Sequence, residues 1–159
     1  MKTIGIIGGS GLYSMEDLVD VEEIEVDTPY GKPSAPIVKG RLAGIEATLC
    51  FLPRHGRGHI LSPSEVPYRA NIFALKKLGV DWVISVSAVG SLKEEIHPGH
   101  MVIIDQFIDR TKNRPSTFFH DGIIAHLPFG DPVCGILRQF VLEAAQESGA
   151  TVHDGGTYV

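Results

Sequence analysis

SEVPYRANIFALKKLGVDWVISVS, residues 64–87, is the stretch that decides the fold, because its pattern predicts a helix followed at once by a buried strand. Apolar side chains recur at helical spacing over residues 65–78, with Ser64 as a suitable N-cap and Gly79 as a natural stop. Residues 82–87 are apolar on both faces, which is typical of a central parallel strand. A helix that leads into such a strand is the repeating unit of α/β proteins.

Toward the N-terminus the pattern predicts strands and turns. Residues 3–7 form an apolar stretch that enters a glycine turn, and residues 19–26 alternate loosely between apolar and polar side chains. A turn at residues 29–33 precedes a predicted hairpin of residues 37–42 and 45–52. Hairpins beside a helix-linked strand imply a mixed sheet rather than a purely parallel one.

Toward the C-terminus strands and helices continue to alternate. Residues 101–108 are predicted as one strand, a second helix is expected from Asp131-Pro132 to Gly149, and residues 151–153 resume a strand-like pattern. The fold class is therefore α/β, with a mixed central sheet flanked by helices, and residues 1–159 are expected to form a single domain. Because the chain ends on strand-like residues, we expect the fold to be truncated at the C-terminus.

The composition is that of a soluble globular protein, with 43% hydrophobic and 21% charged residues among 159. No apolar run approaches the roughly 20 residues of a membrane helix, and the N-terminus shows no secretory leader pattern. The net charge of −5 argues against a nucleic-acid surface. Cys50 and Cys134 are expected to be reduced thiols, and the expected location is cytoplasmic.

The first candidate site segment is the glycine turn at residues 6–11, Ile-Ile-Gly-Gly-Ser-Gly. Glycines after a strand allow backbone N–H groups to converge on an anion, and Ser10 adds a hydroxyl donor. The turn is not a P-loop, because no Gly-Lys-Ser/Thr follows it. Ser14 stands where a dinucleotide-binding G-x-G-x-x-G motif requires glycine. A tight turn without a ligand is the alternative interpretation.

The second segment, Pro-Arg-His-Gly-Arg-Gly-His at residues 53–59, directly follows a predicted strand. Arg54 can hold phosphate with a bidentate fork, and His55 can donate a hydrogen bond to the same anion or move a proton. One alternative is a solvated basic loop. A metal site on His55 and His59 is the other, but their spacing requires a helix, which the two glycines oppose.

The third segment, residues 85–91, ends the predicted central strand with Ser-Val-Ser-Ala-Val-Gly-Ser. Small residues there expose amides and hydroxyls at the carboxyl edge of the sheet, where open α/β folds bind ligands. Ordinary packing at a strand end is the alternative. If the three segments meet in space, they form a site for a small dianion such as phosphate.

These segments belong to an ordered set of five motifs. The motifs are Ile7-Gly8-Gly9-Ser10-Gly11-Leu12, Pro53-Arg54-His55-Gly56, Ser62-Pro63 to Asn71, Val86-Ser87-Ala88-Val89-Gly90-Ser91-Leu92 and Asp109-Arg110-Thr111. Each is weak by itself, but together they resemble the methylthioadenosine phosphorylase branch of the trimeric purine nucleoside phosphorylases. The resemblance runs over residues 4–159.

The resemblance implies a reaction that uses inorganic phosphate as co-substrate and no cofactor or metal. Phosphate attacks the ribose C1′ of a purine nucleoside, 5′-methylthioadenosine or 5′-methylthioinosine, and releases the purine. His59 would line the phosphate–ribose side, and His126 would reach a neighbouring subunit's 5′ pocket in a homotrimer or higher multiple, with a surface-loop histidine as the alternative. The implied phosphate ligands are Ser10, Arg54, His55, Ser87 and the Ala88 amide.

The resemblance also indicates what this chain does not contain. In the family, the acidic side chains that assist the leaving purine and a stretch that contacts ribose lie in the C-terminal part. The 159-residue chain alone is therefore expected to be inactive, and to need that part as a continuous or separate polypeptide. The sequence leaves the purine base and the 5′ substituent open.

Two other classes remain as alternatives. One is a non-catalytic module that binds phosphate or nucleotide, or an inactive fragment of such an enzyme. The other is a dinucleotide-dependent oxidoreductase, against which the glycine spacing and the early hairpins count.

Overall fold

The computed structural model describes residues 2–9 and 17–159, which fall into two compact units. The first unit contains the described residues up to Ala88 together with Pro115–Phe118. The second contains Val89–Arg114 and Phe119–Val159. The expectation of a single domain over residues 1–159 stays a prediction.

A mixed sheet and one helix form the first unit. Its elements are β1 Lys2–Gly8, β2 Leu18–Ile24, β3 Ile37–Leu42, β4 Ala47–Pro53, helix α1 Tyr68–Lys77 and β5 Trp82–Ser85. The strand order is β2-β3-β4-β1-β5. Strand β1 lies parallel to both β4 and β5, whereas β3 is antiparallel to β2 and to β4. The α/β class with a mixed sheet and the early hairpins are confirmed.

Two apolar clusters hold this sheet. In one of them Ala74 and Leu75 of α1 pack with a group that includes Cys50 and Leu52 of β4. The other contains Phe51, which is 1% exposed. Because side chains alternate along a strand, neighbouring residues of β4 serve different clusters and fix both of its faces. Strand β4 is therefore a rigid support for the loop that follows it.

The start of α1 differs from the sequence-based prediction, since Ser64 does not cap it. Pro67 precedes the first helical residue and disfavours helical backbone at Val66. Glu65 is held instead in a turn with Ser62, whose hydroxyl and amide lower the pKa of the Glu65 carboxyl. The predicted glycine stop at the other end of α1 is confirmed.

Strand β5 has a different place in the sheet from the predicted one. Within residues 2–9 and 17–159 it is an edge strand, not the central strand that its apolar pattern indicated. Its Val83 side chain is 41% exposed. Apolar residues on both faces show that a strand suits burial, but they do not specify its neighbours.

The second unit contains two pairs of short parallel strands, and both paired chain segments are interrupted at the same level. Strand β6 (Met101–Ile103) pairs with β8 (Val152–Asp154), and β7 (Gln106–Phe107) pairs with β9 (Thr157–Tyr158). The prediction of one strand over 101–108 is therefore wrong, whereas the strand predicted at 151–153 is confirmed.

A side chain explains this break. Arg138 donates hydrogen bonds to the carbonyls of Ile103 and Ile104 at 3.3 and 3.2 Å where β6 ends, and the Ile103 carbonyl also accepts the Gly155 N–H at 3.0 Å. On the neighbouring chain, Gly155 and Gly156 have φ values of +89° and +146° at the same level. Two strands are thus interrupted together because one arginine and two glycines favour the bend.

Helix α2, Gly135–Glu147, carries Arg138 and packs on β6 and β8. It begins later than the predicted Asp131-Pro132, because Cys134 has extended backbone and its carbonyl accepts the Arg138 N–H at 2.9 Å. An Asp-Pro pair is compatible with a helix start but does not fix it. The predicted stop at Gly149, which has φ +80°, is confirmed.

Asn71 ties α1 to the segment before β3, and we expect its loss to destabilise the protein. Its side chain is 3% exposed, accepts the Ser34 N–H and donates to the Ser34 hydroxyl, both at 2.8 Å. Asn71→Ala leaves two polar groups of Ser34 without these partners, so the free energy of unfolding should fall by about 1–3 kcal/mol. Urea denaturation measures the change. The control is Ile72→Ala on the exposed face of α1, and an equal effect of both substitutions would refute this explanation.

Candidate active site

Three strands of the first unit end at the same edge of the sheet. In the parallel register, Gly8 of β1 lies opposite Pro53 of β4, and Ile7 lies opposite Ser85 of β5. Beyond the paired residues, the Arg54 N–H donates to the Gly8 carbonyl at 3.1 Å. The described ends of β1, β4 and β5 therefore lie side by side, as their parallel directions require.

The Arg54 side chain connects two of these segments. Its Nη1 donates to the Ser87 hydroxyl at 2.7 Å, and its Nε donates to His55 Nε2 at 3.2 Å. Within the described residues, these contacts use two of the five N–H groups of the guanidinium. The half-buried side chain is held in place and still has donors for an anion.

His55 is fixed at both ring nitrogens. Its Nδ1 lies 2.8 Å from the Leu61 carbonyl oxygen, and its Nε2 accepts from Arg54. The His59 ring stacks on the His55 ring with centroids 4.3 Å apart and an interplanar angle of 23°. The two histidines of the loop are thus neighbours without being on a helix.

Glycines give the loop the path that produces this contact. Gly56 has φ +74°, and a Cβ there would lie 3.2 Å from the Ser34 carbonyl oxygen, so both backbone and space favour glycine. Gly58 and His59 follow with φ values of +73° and +57°. A histidine in this conformation is uncommon, and the stack on His55 accompanies it.

Sequence reasoning missed two groups that hold the loop. One is the Leu61 carbonyl described above. The other is Glu23 of β2, whose carboxylate pairs with Arg57 at 2.5 Å. The two glycines indicated a turn, but nothing in the sequence specified which distant groups the turn would meet.

The remaining predicted site residues are Ala88, His126 and Ser10. Ala88 follows Ser87 in the first unit and is exposed. His126 belongs to the second unit, in an exposed stretch without helix or strand. Ser10 lies outside the described residues. The binding roles of all these residues stay predictions.

The described part of the chain has no side-chain cluster suited to a metal ion and no helix suited to a bilayer. Residues 2–9 and 17–159 contain no group of three or more His, Cys, Asp or Glu side chains placed to hold a metal ion. Neither α1 nor α2, the helices of that same part, has the length and apolar character of a bilayer span.

A sheet edge with arginine and serine donors beside a histidine ring is chemically suited to a small oxyanion, because N–H and O–H groups can donate to oxygen. Fold and site together define an α/β protein with anion-compatible donors at the carboxyl edge of its strands. The chain belongs to the phosphorylase superfamily, whose family model matches residues 3–159.

Similar proteins carry a more specific name. The chain is 61% identical to a protein of Geobacter sulfurreducens named S-methyl-5′-thioadenosine phosphorylase, over 99% of this chain and 55% of that protein. It is 58% identical to the protein of the same name from Chloroflexus aurantiacus, over 99% of this chain and 54% of the relative. The chain thus spans about half the length of the curated relatives it matches.

Solved structures agree with the fold. A crystal structure of methylthioadenosine phosphorylase from an Antarctic soil metagenomic library matches with a TM-score of 0.95 and 52% identity, over 99% of this chain and 55% of that one. Methylthioadenosine phosphorylase from Schistosoma mansoni, in complex with adenine, matches with a TM-score of 0.90 and 35% identity, over 99% and 64%. The nucleoside-phosphorylase-like fold is confirmed.

Proposed function

We propose that the whole protein catalyses phosphorolysis of the N-glycosidic bond of a purine nucleoside. The proposed substrate is 5′-methylthioadenosine, with 5′-methylthioinosine as the close variant, and the products are the free purine and 5-methylthioribose 1-phosphate. The observation that carries this proposal is the 61% identity to a protein named S-methyl-5′-thioadenosine phosphorylase. Such identity favours an enzyme over a non-catalytic binding module.

The geometry at the sheet edge suggests how phosphate is held. Arg54 and Ser87 supply N–H and O–H donors, 2.7 Å apart, from the ends of β4 and β5, the two strands on either side of β1. His55 adds a ring beside the guanidinium, and the Ala88 amide follows Ser87 along the chain. Ser10 is proposed as a further hydroxyl ligand. Donors on rigid strand ends keep the anion oriented before the reaction starts, which lowers the barrier.

The reaction needs no covalent enzyme intermediate, because phosphate is the nucleophile. A phosphate oxygen forms a bond to ribose C1′ while the bond between C1′ and the purine nitrogen breaks. The ribose passes through an oxocarbenium-like state, which the adjacent dianion stabilises. The electron pair of the broken bond stays on the purine, which leaves more readily when a donor protonates or hydrogen-bonds it. Inorganic phosphate is the only co-substrate proposed, with no cofactor or metal.

The other partners of the site are part of the same proposal. His59, stacked on His55, is proposed to line the phosphate–ribose side. His126 is proposed to contribute to the 5′ pocket of a neighbouring subunit in a homotrimer or higher multiple. We propose a cytoplasmic location and no nucleic-acid or membrane partner.

A phosphate-dependence assay tests the proposed function. Residues 1–159 are fused to the C-terminal part of the Geobacter sulfurreducens relative that lies beyond the matched region, and the relative itself is the positive control. We expect the fusion to release adenine from 5′-methylthioadenosine only when inorganic phosphate is present, and to form a sugar phosphate in equal amount. Adenine release at the same rate without phosphate would show hydrolysis and contradict the proposal.

A further inference from the structure

The contacts of His55 define which of its nitrogens carries the proton. A carbonyl oxygen can only accept, so Nδ1, 2.8 Å from the Leu61 carbonyl, carries a hydrogen. An arginine Nε–H can only donate, so His55 Nε2, 3.2 Å from Arg54 Nε, is a bare acceptor. The imidazole in this arrangement is neutral and has no donor left for an anion.

In this arrangement His55 cannot donate a hydrogen bond to phosphate unless Nε2 gains a proton. A neutral ring could donate from Nε2 only by moving its proton away from Nδ1. That change would place the Nδ1 lone pair against the Leu61 carbonyl oxygen, an unfavourable contact between two acceptors in a half-buried loop. Protonation of Nε2 avoids this conflict, because the imidazolium keeps the bond to Leu61 and gains a donor.

We propose that the anion binds together with one proton, which His55 takes up on Nε2 as Arg54 Nε turns from that nitrogen to the anion. This inference rests on the proposed function and concerns the regulation of the same site. The hydrogen bond between Arg54 and His55 is lost, and each residue forms a charge-assisted hydrogen bond to the anion instead. Anion affinity is thereby coupled to pH, even for an anion whose own charge does not change.

The groups around His55 are consistent with this coupling. On its own loop, Arg54 is a cation that opposes protonation until an anion neutralises it, and the His59 imidazole stacks on the His55 ring. From β2, the Glu23 carboxylate pairs with Arg57 of the loop. From the end of β5, the contact is the uncharged Ser87 hydroxyl. A dianion between Arg54 and His55 therefore supplies the charge that favours the imidazolium.

Calorimetric titration with sulfate tests the proposal on the fused protein. Sulfate remains a dianion over the range of about pH 5 to 8 in which imidazoles change charge, so any proton uptake comes from the protein. Titrations in buffers of different ionisation enthalpy measure that uptake. We expect it to approach one proton per sulfate at the alkaline end of this range, with the dissociation constant rising up to about tenfold per pH unit.

Substitutions identify the group that takes up the proton. His55→Gln offers a neutral N–H donor, so sulfate should bind without proton uptake and without this pH dependence; His55→Asn is the second variant if the first is misfolded by circular dichroism. His120→Gln, in the second unit, should change neither the proton uptake nor the pH dependence of the sulfate dissociation constant. Proton uptake that disappears in His59→Gln and persists in His55→Gln overturns the proposal.

The wild-type titration separates this inference from the proposed function. Sulfate binding without proton uptake overturns the coupling and leaves a phosphate site intact. Absence of sulfate binding to the folded chain, with Arg54→Ala giving the same result, overturns the coupling and the assigned phosphate site together.

Discussion

Arg54→Ala in the fused protein is expected to lower kcat/KM by about 10²- to 10³-fold, with phosphate KM raised and kcat reduced together. Arg54 is the cation whose guanidinium reaches from the end of β4 to Ser87. We propose that it acts on the anion both before and during attack on C1′, so both kinetic constants should respond. Steady-state kinetics with varied phosphate at saturating 5′-methylthioadenosine measure the two constants separately.

Arg54→Lys should recover little of this activity. A lysine is a point charge that cannot contact both Ser87 and His55 while presenting a fork to phosphate. The control is Arg41→Ala, because Arg41 pairs with Asp20 on exposed strands, and it should leave kcat/KM within about twofold of wild type. Unchanged phosphate KM and kcat in Arg54→Ala would show that another group binds the anion.

Residues 1–159 by themselves are expected to show no phosphorolytic activity. The chain covers 55% of the Geobacter sulfurreducens relative, and the purine-assisting and ribose-contacting groups are proposed to lie in the remainder. General acid assistance alone contributes about 10²- to 10⁴-fold, and loss of substrate orientation adds to that. The measurement compares adenine release by the 159-residue chain, by the fusion, and by the two pieces mixed.

Robust phosphate-dependent release by a monodisperse 159-residue species, checked by intact mass, would contradict this prediction. Activity of the mixed pieces, with none from either alone, would support a site that spans two polypeptides. Hypoxanthine release from 5′-methylthioinosine and purine release from adenosine and inosine, assayed in parallel, determine the base and the 5′ preference that the sequence leaves open.

Much of the fold was predictable because its signals are local. The apolar pattern of β1, the hairpin of β3 and β4, and the glycine that ends α1 each depend on residues close together in sequence. The starts of α1 and α2 were not predictable in this way. Helix α1 begins only after Pro67, and α2 begins only after Cys134, whose backbone is extended. At the break between β6 and β7 two carbonyls accept hydrogen bonds from Arg138, which lies more than 30 residues away in sequence and cannot be found from periodicity.

In the candidate site, one contact was predictable from the sequence and another was not. The contact between Arg54 and Ser87 follows from two parallel strands that end at one edge, which the sequence pattern predicts. The contact between His55 and the Leu61 carbonyl depends on the path of a loop with positive φ at Gly56 and Gly58, and no motif specifies that path. The hydrogen-bond partner of His55 Nδ1 was therefore not accessible from the sequence.

The central claim is that Arg54 and Ser87 hold the phosphate that attacks the nucleoside. A crystal structure of the fused protein grown in phosphate tests it most directly. The account predicts a tetrahedral anion within about 3 Å of both the Arg54 guanidinium and the Ser87 hydroxyl. An anion bound elsewhere in a catalytically active protein, with Arg54 contacting only His55 and Ser87, would contradict it.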